Sequence, residues 1–234
     1  MMEPDHSCEP GIHSLLKPFG LLLLGALQPA REHQLADIAE NKPARQLLLI
    51  GNGGSSFWQA FSCSPEFRDG RADPLDRWSR RAGDFIANDL GGRVVFPFDG
   101  PPYAPFLSWA GKTGQVLPSP VSMYLHASYG LWHAYRFALV LPEVQEGLSS
   151  RVEFKSPCLN CKDQPCTKNC PVNAFTQQAY RVDQCLDYLV KDAESSCRRL
   201  GCKARRACPV GSEHTYLPQH AAFHMDAFRK SYGL

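Results

Sequence analysis

Apolar positions along the first 147 residues change their spacing several times, and each change marks an element. The run FGLLLLGAL, from Phe19 to Leu27, is almost continuously apolar and reads as a buried strand, with His13 to Lys17 as a short helix leading into it. RQLLLIGNGGSSFWQAF, from Arg45 to Phe61, predicts a second strand, a glycine turn and a helix. In that βα unit Ser55 or Ser56 is the expected N-cap ahead of Phe57, Trp58, Ala60 and Phe61, and Pro65 is expected to stop the helix. In DPLDRWSRRAGDFIAND, Asp73 to Asp89, the residues Leu75, Trp78, Ala82, Phe85 and Ile86 recur at helical spacing and predict an amphipathic helix. GGRVVFPFDG reads as a short strand, DGPPYAPF as a loop, and Val121 to Glu143 as two β-like stretches around Gly130.

After Gly147 the character changes. Eight of the ten cysteines lie between Cys158 and Cys208, and EGLSSRVEFKSP before them is the candidate junction. A boundary near residue 150 therefore divides a core domain, 1–150, from a cysteine-rich domain, 151–234. Within the second part RVDQCLDYLVKDAESS predicts a helix, with Asp183 as its cap and Leu186, Leu189, Val190 and Ala193 on one side; PQHAAFHMDAFRKSY predicts a final helix. Helices and strands mixed in this way make the expected fold class α+β.

Composition adds little beyond a globular chain: 44% hydrophobic, 21% charged, with 19 prolines and 18 glycines that signal many turns. A formal charge of +2 is too small for wholesale nucleic-acid binding, yet Arg198, Arg199, Lys203, Arg205 and Arg206 fall together. This basic segment can offset the charge of metal-bound thiolates and dock an acidic electron donor, contact phosphates, or be a solvated face. The Phe19–Leu27 run is about half of a bilayer span. It is also a poor secretory signal, following a polar start with Glu3, Asp5 and Glu9 and lacking an A-x-A-like site. No membrane association is expected, and the expected compartment is the cytoplasm, where thiols stay free or bind metal.

The cysteines carry the sharpest signal. CLNCKDQPCTKNCP has the spacing C-x2-C-x4-C-x3-C-P; Cys185 stands alone, and Cys197, Cys202 and Cys208 form C-x4-C-x5-C-P. Eight thiolates match two [4Fe-4S] clusters, and in two-cluster ferredoxins the cysteine before proline ligates the other cluster. On that logic Cys158, Cys161, Cys166 and Cys208 hold one cluster, and Cys170, Cys185, Cys197 and Cys202 the other. Each Cys-Pro is expected to start a helix, since proline fits the first helical turn. Zinc held by four thiolates and a disulfide framework are the alternatives. Cys8 and Cys63 stand outside the set, and Cys63 reads as a small residue near a helix end.

Further candidates each have two readings. Gly51 to Gly54 can cradle a phosphate or make a tight connection. His220 and His224, four apart, can ligate a metal or lie on a surface or lid. Arg136 can pair with a ligand's carboxylate or phosphate, or within the protein. Trp132 and His126 are core or pocket.

SWAGKTGQV, Ser108 to Val116, followed by HASYGLWHAYRFALVLPE, His126 to Glu143, resembles the cobalamin-dependent epoxyqueuosine reductases and reductive dehalogenases, and also the cytosolic cobalamin-processing chaperones of the cblC type. Trp109, Gly111 and Lys112 match a G-W-x-G-K stretch of the reductases, with Ser108 in place of the leading glycine, and Cys185 matches their lone helix cysteine. His126, Gly130, Trp132, Arg136 and Pro142 match the chaperone pattern, although the chaperones lack an iron–sulfur module. The resemblance implies a nitroreductase-like core that holds cobalamin base-off, with FMN the lesser alternative. It implies Lys112, His126, Trp132 and Arg136 as cofactor-binding residues and a ferredoxin-like module feeding electrons to cobalt. An external donor of the ferredoxin or flavodoxin type would dock near 198–206, and nucleic acid is not an expected partner. Where the reductases carry an acidic proton donor this chain has PPYAPFLSW, so no catalytic acid is assigned, and epoxyqueuosine reductases are longer. The expected function is a corrinoid-linked reductase. A ferredoxin-type electron carrier with an enlarged partner-binding domain is the competing reading, and only the reductase needs a cavity near His126, Trp132 and Arg136 that a cluster faces.

Overall fold

A computed structural model describes residues 11–29, 35–148, 153–176 and 179–233. The chain opens with α1 (Ile12–Leu16), β1 (Leu22–Leu27) and β2 (Gln46–Gly53), continues through α2 (Trp58–Ser62), α3 (Pro65–Arg68), α4 (Pro74–Asp89) and β3 (Arg93–Val95), and then α5 (Phe106–Thr113), β4 (Val116–Pro118), β5 (Tyr124–His126) and β6 (His133–Leu141). Strands β1, β2, β6 and β3 lie in that order in one antiparallel sheet, and β4 pairs with β5 in a separate hairpin.

All eight residues of β2 are buried. Side chains alternate across a strand, so a strand covered on both faces takes apolar residues at successive positions, as Leu47 to Ile50 do here. Leu48 and Ile50 accordingly pack with Trp78, Ala82 and Ile86 of α4, while Leu47 and Leu49 pack with Phe106, Trp109 and Ala110 of α5. The sheet is thus the middle of three layers. Full burial of each such aliphatic side chain contributes about 1.5–3 kcal/mol, so β2 is the densest source of stability in the chain.

Several expectations change in the fold. Helix α2 starts at Trp58 with Phe57 at the N-cap position and no side-chain cap, so neither Ser55 nor Ser56 serves there. Pro65 opens α3 instead of merely stopping α2, with Ser64 accepting the Phe67 N–H. Phe85 is 57% exposed although it shares the spacing of the buried α4 residues; it lies against Phe19 at the helix edge, with centroids 6.0 Å apart. Cys63 is the exposed C-cap residue of α2. Gly51 and Gly53 continue β2 opposite β6, and a Cβ at either would strike the Ala134 carbonyl or the Tyr129 ring. The protein's own chain fills the glycine stretch, which is a tight connection.

The cysteine-rich part is built from short helices: α6 (Pro165–Lys168), α7 (Val182–Lys191), α8 (Ser196–Leu200), α9 (Lys203–Arg206) and the longer α10 (Pro218–Lys230). Arg181, not Asp183, precedes α7 as its cap residue. Leu186 and Leu189 are buried, whereas Val190 is exposed and Ala193 lies past the helix end. This part shares a core with the β5–β6 region, where Val121, Leu125 and Leu131 pack with Cys166, Cys170, Ala174 and Cys208. Gly130 and Gly211 meet back to back at that junction, both with positive φ, and a Cβ on Gly130 would collide with the Val210 carbonyl. The expected boundary near residue 150 and Cys8 lie outside the described residues. No helix among the described residues is long and apolar enough to cross a membrane. Mixed helix with small antiparallel sheets agrees with the α+β class.

Candidate functional site

Short turns present the thiols from several directions. Cys158 sits in a single turn at Pro157–Asn160, Cys166 in α6, Cys185 in α7 and Cys197 in α8, while Cys202 is the cap residue of α9. Neither Cys170-Pro171 nor Cys208-Pro209 starts a helix; each enters a turn. The proline therefore restricts φ and ends the preceding segment without opening a helix. The Ala174 N–H donates to Cys170 Sγ at 3.2 Å, and the Lys203 N–H to Cys197 Sγ at 3.5 Å.

These thiols sense one another in two sets. Cys166 is coupled electrostatically to Cys208, Cys158 and Cys161, and Cys208 to Cys158 and Cys161. Cys185 is coupled to Cys170 and Cys197, Cys202 to Cys197 and Cys185, and Cys197 to Cys170. Each coupling named stays within a set of four: Cys158, Cys161, Cys166 and Cys208, or Cys170, Cys185, Cys197 and Cys202. Burial raises the thiol pKa of Cys166, Cys185, Cys197 and Cys208 and pushes that of Cys202 up to about 11. Such thiols give up protons only to a strong positive partner. The nine described cysteines are free thiols. Among the described residues no group of three or more His, Cys, Asp or Glu side chains is disposed to hold a single metal ion.

Lys112, His126, Trp132 and Arg136 stand in four different places. Lys112 is exposed on α5, which packs on the sheet face opposite α4. His126 is a core residue: its Nδ1 accepts the Ser128 N–H at 3.0 Å, so Nε2 carries the proton and donates to the Leu24 carbonyl at 3.2 Å. Burial lowers its pKa. Trp132, 1% exposed, lines a cavity of about 300 Å³ together with Arg205, Tyr216 and His224. Cys185 and Cys202 form part of the same wall. Arg136 lines a second cavity, about 870 Å³, with Asp76 and the other side of His224. Its Nε is buried without a hydrogen-bond partner among the described residues. Burial raises the Asp76 carboxyl, and Arg136 opposes that rise.

The basic segment is not one face. Arg205 donates from Nε and Nη2 to the Leu131 carbonyl, at 2.9 and 2.6 Å, and lies 4.4 and 4.3 Å from the Trp132 and Tyr216 ring centres. Arg198 faces Asp226 at 3.6 Å and Arg199 pairs with Glu194 at 3.1 Å, while Lys203 is exposed. His220 and His224 are not surface histidines. His220 is fully buried and stacked on Tyr216 at 3.8 Å, and His224 follows at 4.7 Å. Burial and the nearby Arg136 and Arg205 depress both imidazoles, His220 to about 3. Two guanidiniums beside two unprotonated rings make this a poor place for a metal cation. Tyr216 is the wall residue that periodicity and motif spacing missed; Arg205 and His224 stand out in the sequence for other reasons, a basic segment and a histidine pair, and only the tertiary packing brings all three to the cavity beside Trp132.

Comparison with protein-family models and with curated proteins finds no match for this chain.

Proposed function

We propose that this chain is an iron–sulfur redox protein whose two sets of four cysteines each hold one [4Fe-4S] cluster, in a ferredoxin-like module on a nitroreductase-like core. The observation that carries the reading is that the electrostatic couplings among the eight thiols fall within two sets of four, each including the Cys-Pro cysteine of the other run. The donor set fits the group, since iron–sulfur clusters take thiolates. When bound, such clusters supply one-electron transfer. The chain's own residues would insulate and tune them: backbone N–H groups donate to Cys170 and Cys197, and bonds of this kind raise the reduction potential.

The second set faces the interior. Cys185 and Cys202 lie in the wall of the cavity that Trp132 and Arg205 also line, which supports electron delivery to a small acceptor there over a carrier that merely docks partners. A corrinoid is the acceptor implied by the resemblance. Its fit is poor as the residues stand: His126, Trp132, Arg136 and Lys112 do not share a cavity, and about 300 Å³ is the bottom of the range for small-molecule pockets. No step is derived through it. An external one-electron donor would approach from the exposed side of the module near Lys203 and Arg199.

Anaerobic purification with iron and sulfide analysis tests the cluster reading: about eight irons per chain are expected, as two cubes require. Zinc without iron, or thiols bonded to one another, would sink it. Titration with hydroxocobalamin and with FMN then checks the cofactor; a cobalamin spectral shift restores the corrinoid-linked reductase.

A further inference from the structure

The cavity beside Cys185 and Cys202 has a definite chemical character. Aromatic and thioether side chains make much of its wall, among them Trp132, Phe175, Tyr216, Phe228, Met123 and Met225. Flat rings stack on such surfaces, and methionine adapts to ring edges. Arg205 is the one cationic side chain among the wall residues apart from the neutral His224. With Nε and Nη2 committed to Leu131, its Nη1 has no hydrogen-bond partner among the described residues.

Charge narrows the ligand further. Metal-bound thiolates at Cys185 and Cys202 would place negative charge in the same wall and balance Arg205, so an anionic ligand meets repulsion from one side. A phosphate-bearing flavin finds no second cation, and no carboxylate lines the cavity to receive an amine. What remains is an uncharged, flat, conjugated ring with an oxygen acceptor for Nη1.

We infer that this cavity binds a quinone, held against Phe175 and Phe228 with one carbonyl oxygen on Arg205, whose guanidinium covers the Trp132 and Tyr216 rings, as the acceptor of the electrons delivered in the proposed function, on which the inference rests. The balance is complete with the external one-electron donor. Two electrons arrive singly, two protons come from water, both C=O bonds become C–OH and the ring becomes the aromatic hydroquinone; no atom leaves the protein.

The experiment uses the full chain, reconstituted anaerobically, and duroquinone, whose fully methylated ring leaves no carbon open to attack by a thiol. Saturable quenching of tryptophan fluorescence at one quinone per chain is expected. Arg205→Met should weaken binding by about tenfold or more, the usual worth of a hydrogen bond to a charged group. Met225→Trp, which adds bulk to the cavity wall, should abolish it. Iron content and the visible spectrum are read in parallel and should match the parent in both variants. Iron-loaded protein that does not bind duroquinone, or a Met225→Trp variant that binds it normally, overturns the inference and leaves the cluster reading standing. Displacement of duroquinone by FMN or hydroxocobalamin at lower concentration assigns the cavity to that cofactor and also overturns it. Protein without iron removes the proposed function, and the inference with it.

Discussion

Ser55 Oγ lies 2.8 Å from His220 Nδ1, across 165 residues of chain. The same oxygen accepts the Leu217 N–H at 2.9 Å, which leaves its own proton for the imidazole. His220 Nδ1 is then an acceptor and Nε2 carries the ring proton. A serine that local pattern offers as a helix cap instead ties the end of the β2 turn to α10. The ring is stacked between Tyr216 and Trp58, with centroids at 3.8 and 5.0 Å, and has no room for a second proton's hydration.

Acid sensitivity follows. Burial holds His220 and His133 at about 3, below the 6.5 of an exposed imidazole. Between those values the unfolded chain binds protons that the folded chain refuses, so stability is complete above about pH 6.5 and is lost as the pH falls toward 3. Each pH unit separating the folded from the unfolded value is about 1.4 kcal/mol per histidine. Thermal unfolding followed by circular dichroism from pH 8 to pH 4 should show a falling midpoint. His220→Phe should flatten the slope; an unchanged slope would rule out His220 as a contributor.

The proposed exchange of ligands between the two cysteine runs predicts which variants resemble one another. Cys170→Ser and Cys185→Ser should each lose about half the iron and leave the same residual signal in electron paramagnetic resonance. Cys158→Ser and Cys208→Ser should leave the other signal. A Cys170→Ser spectrum that matches Cys158→Ser instead would show that each run keeps its own cluster.

Gly130 sits at the junction between the sheet and the cysteine-rich part. Its φ is 54° and a side chain there meets the Val210 carbonyl. Gly130→Ala combines backbone strain with a main-chain clash, and a loss of about 2–4 kcal/mol in denaturant unfolding is expected. Gly147→Ala, also at positive φ but with nothing nearby, should cost about 1 kcal/mol.

Trp78 and Phe85 stand on one helix and should behave oppositely. Trp78 is 1% exposed among Phe19, Phe57 and Phe61, so Trp78→Ala should cost about 3–5 kcal/mol. Phe85→Ser, at an exposed position, should change stability by about 0.5–1 kcal/mol. Urea midpoints of the two variants decide it.

Apolar spacing by itself determined several of the secondary elements: the apolar run of β2, the stripe of α4, the paired stretches about Gly130 and the final helix all depend on interactions along a few turns of chain. The eight cysteines and their two Cys-Pro steps were likewise visible, because ligand chemistry is written in residue type and spacing. Tertiary structure alone decided that Ser55 serves His220, that Arg205 leaves the basic segment for the Trp132 and Tyr216 rings, and that His126, Trp132 and Arg136 part company between the end of β5 and the middle of β6. The reason is geometric. Successive strand residues point to opposite faces, and which face closes over a cavity depends on where α10, some ninety residues away along the chain from β5 and β6, finally packs.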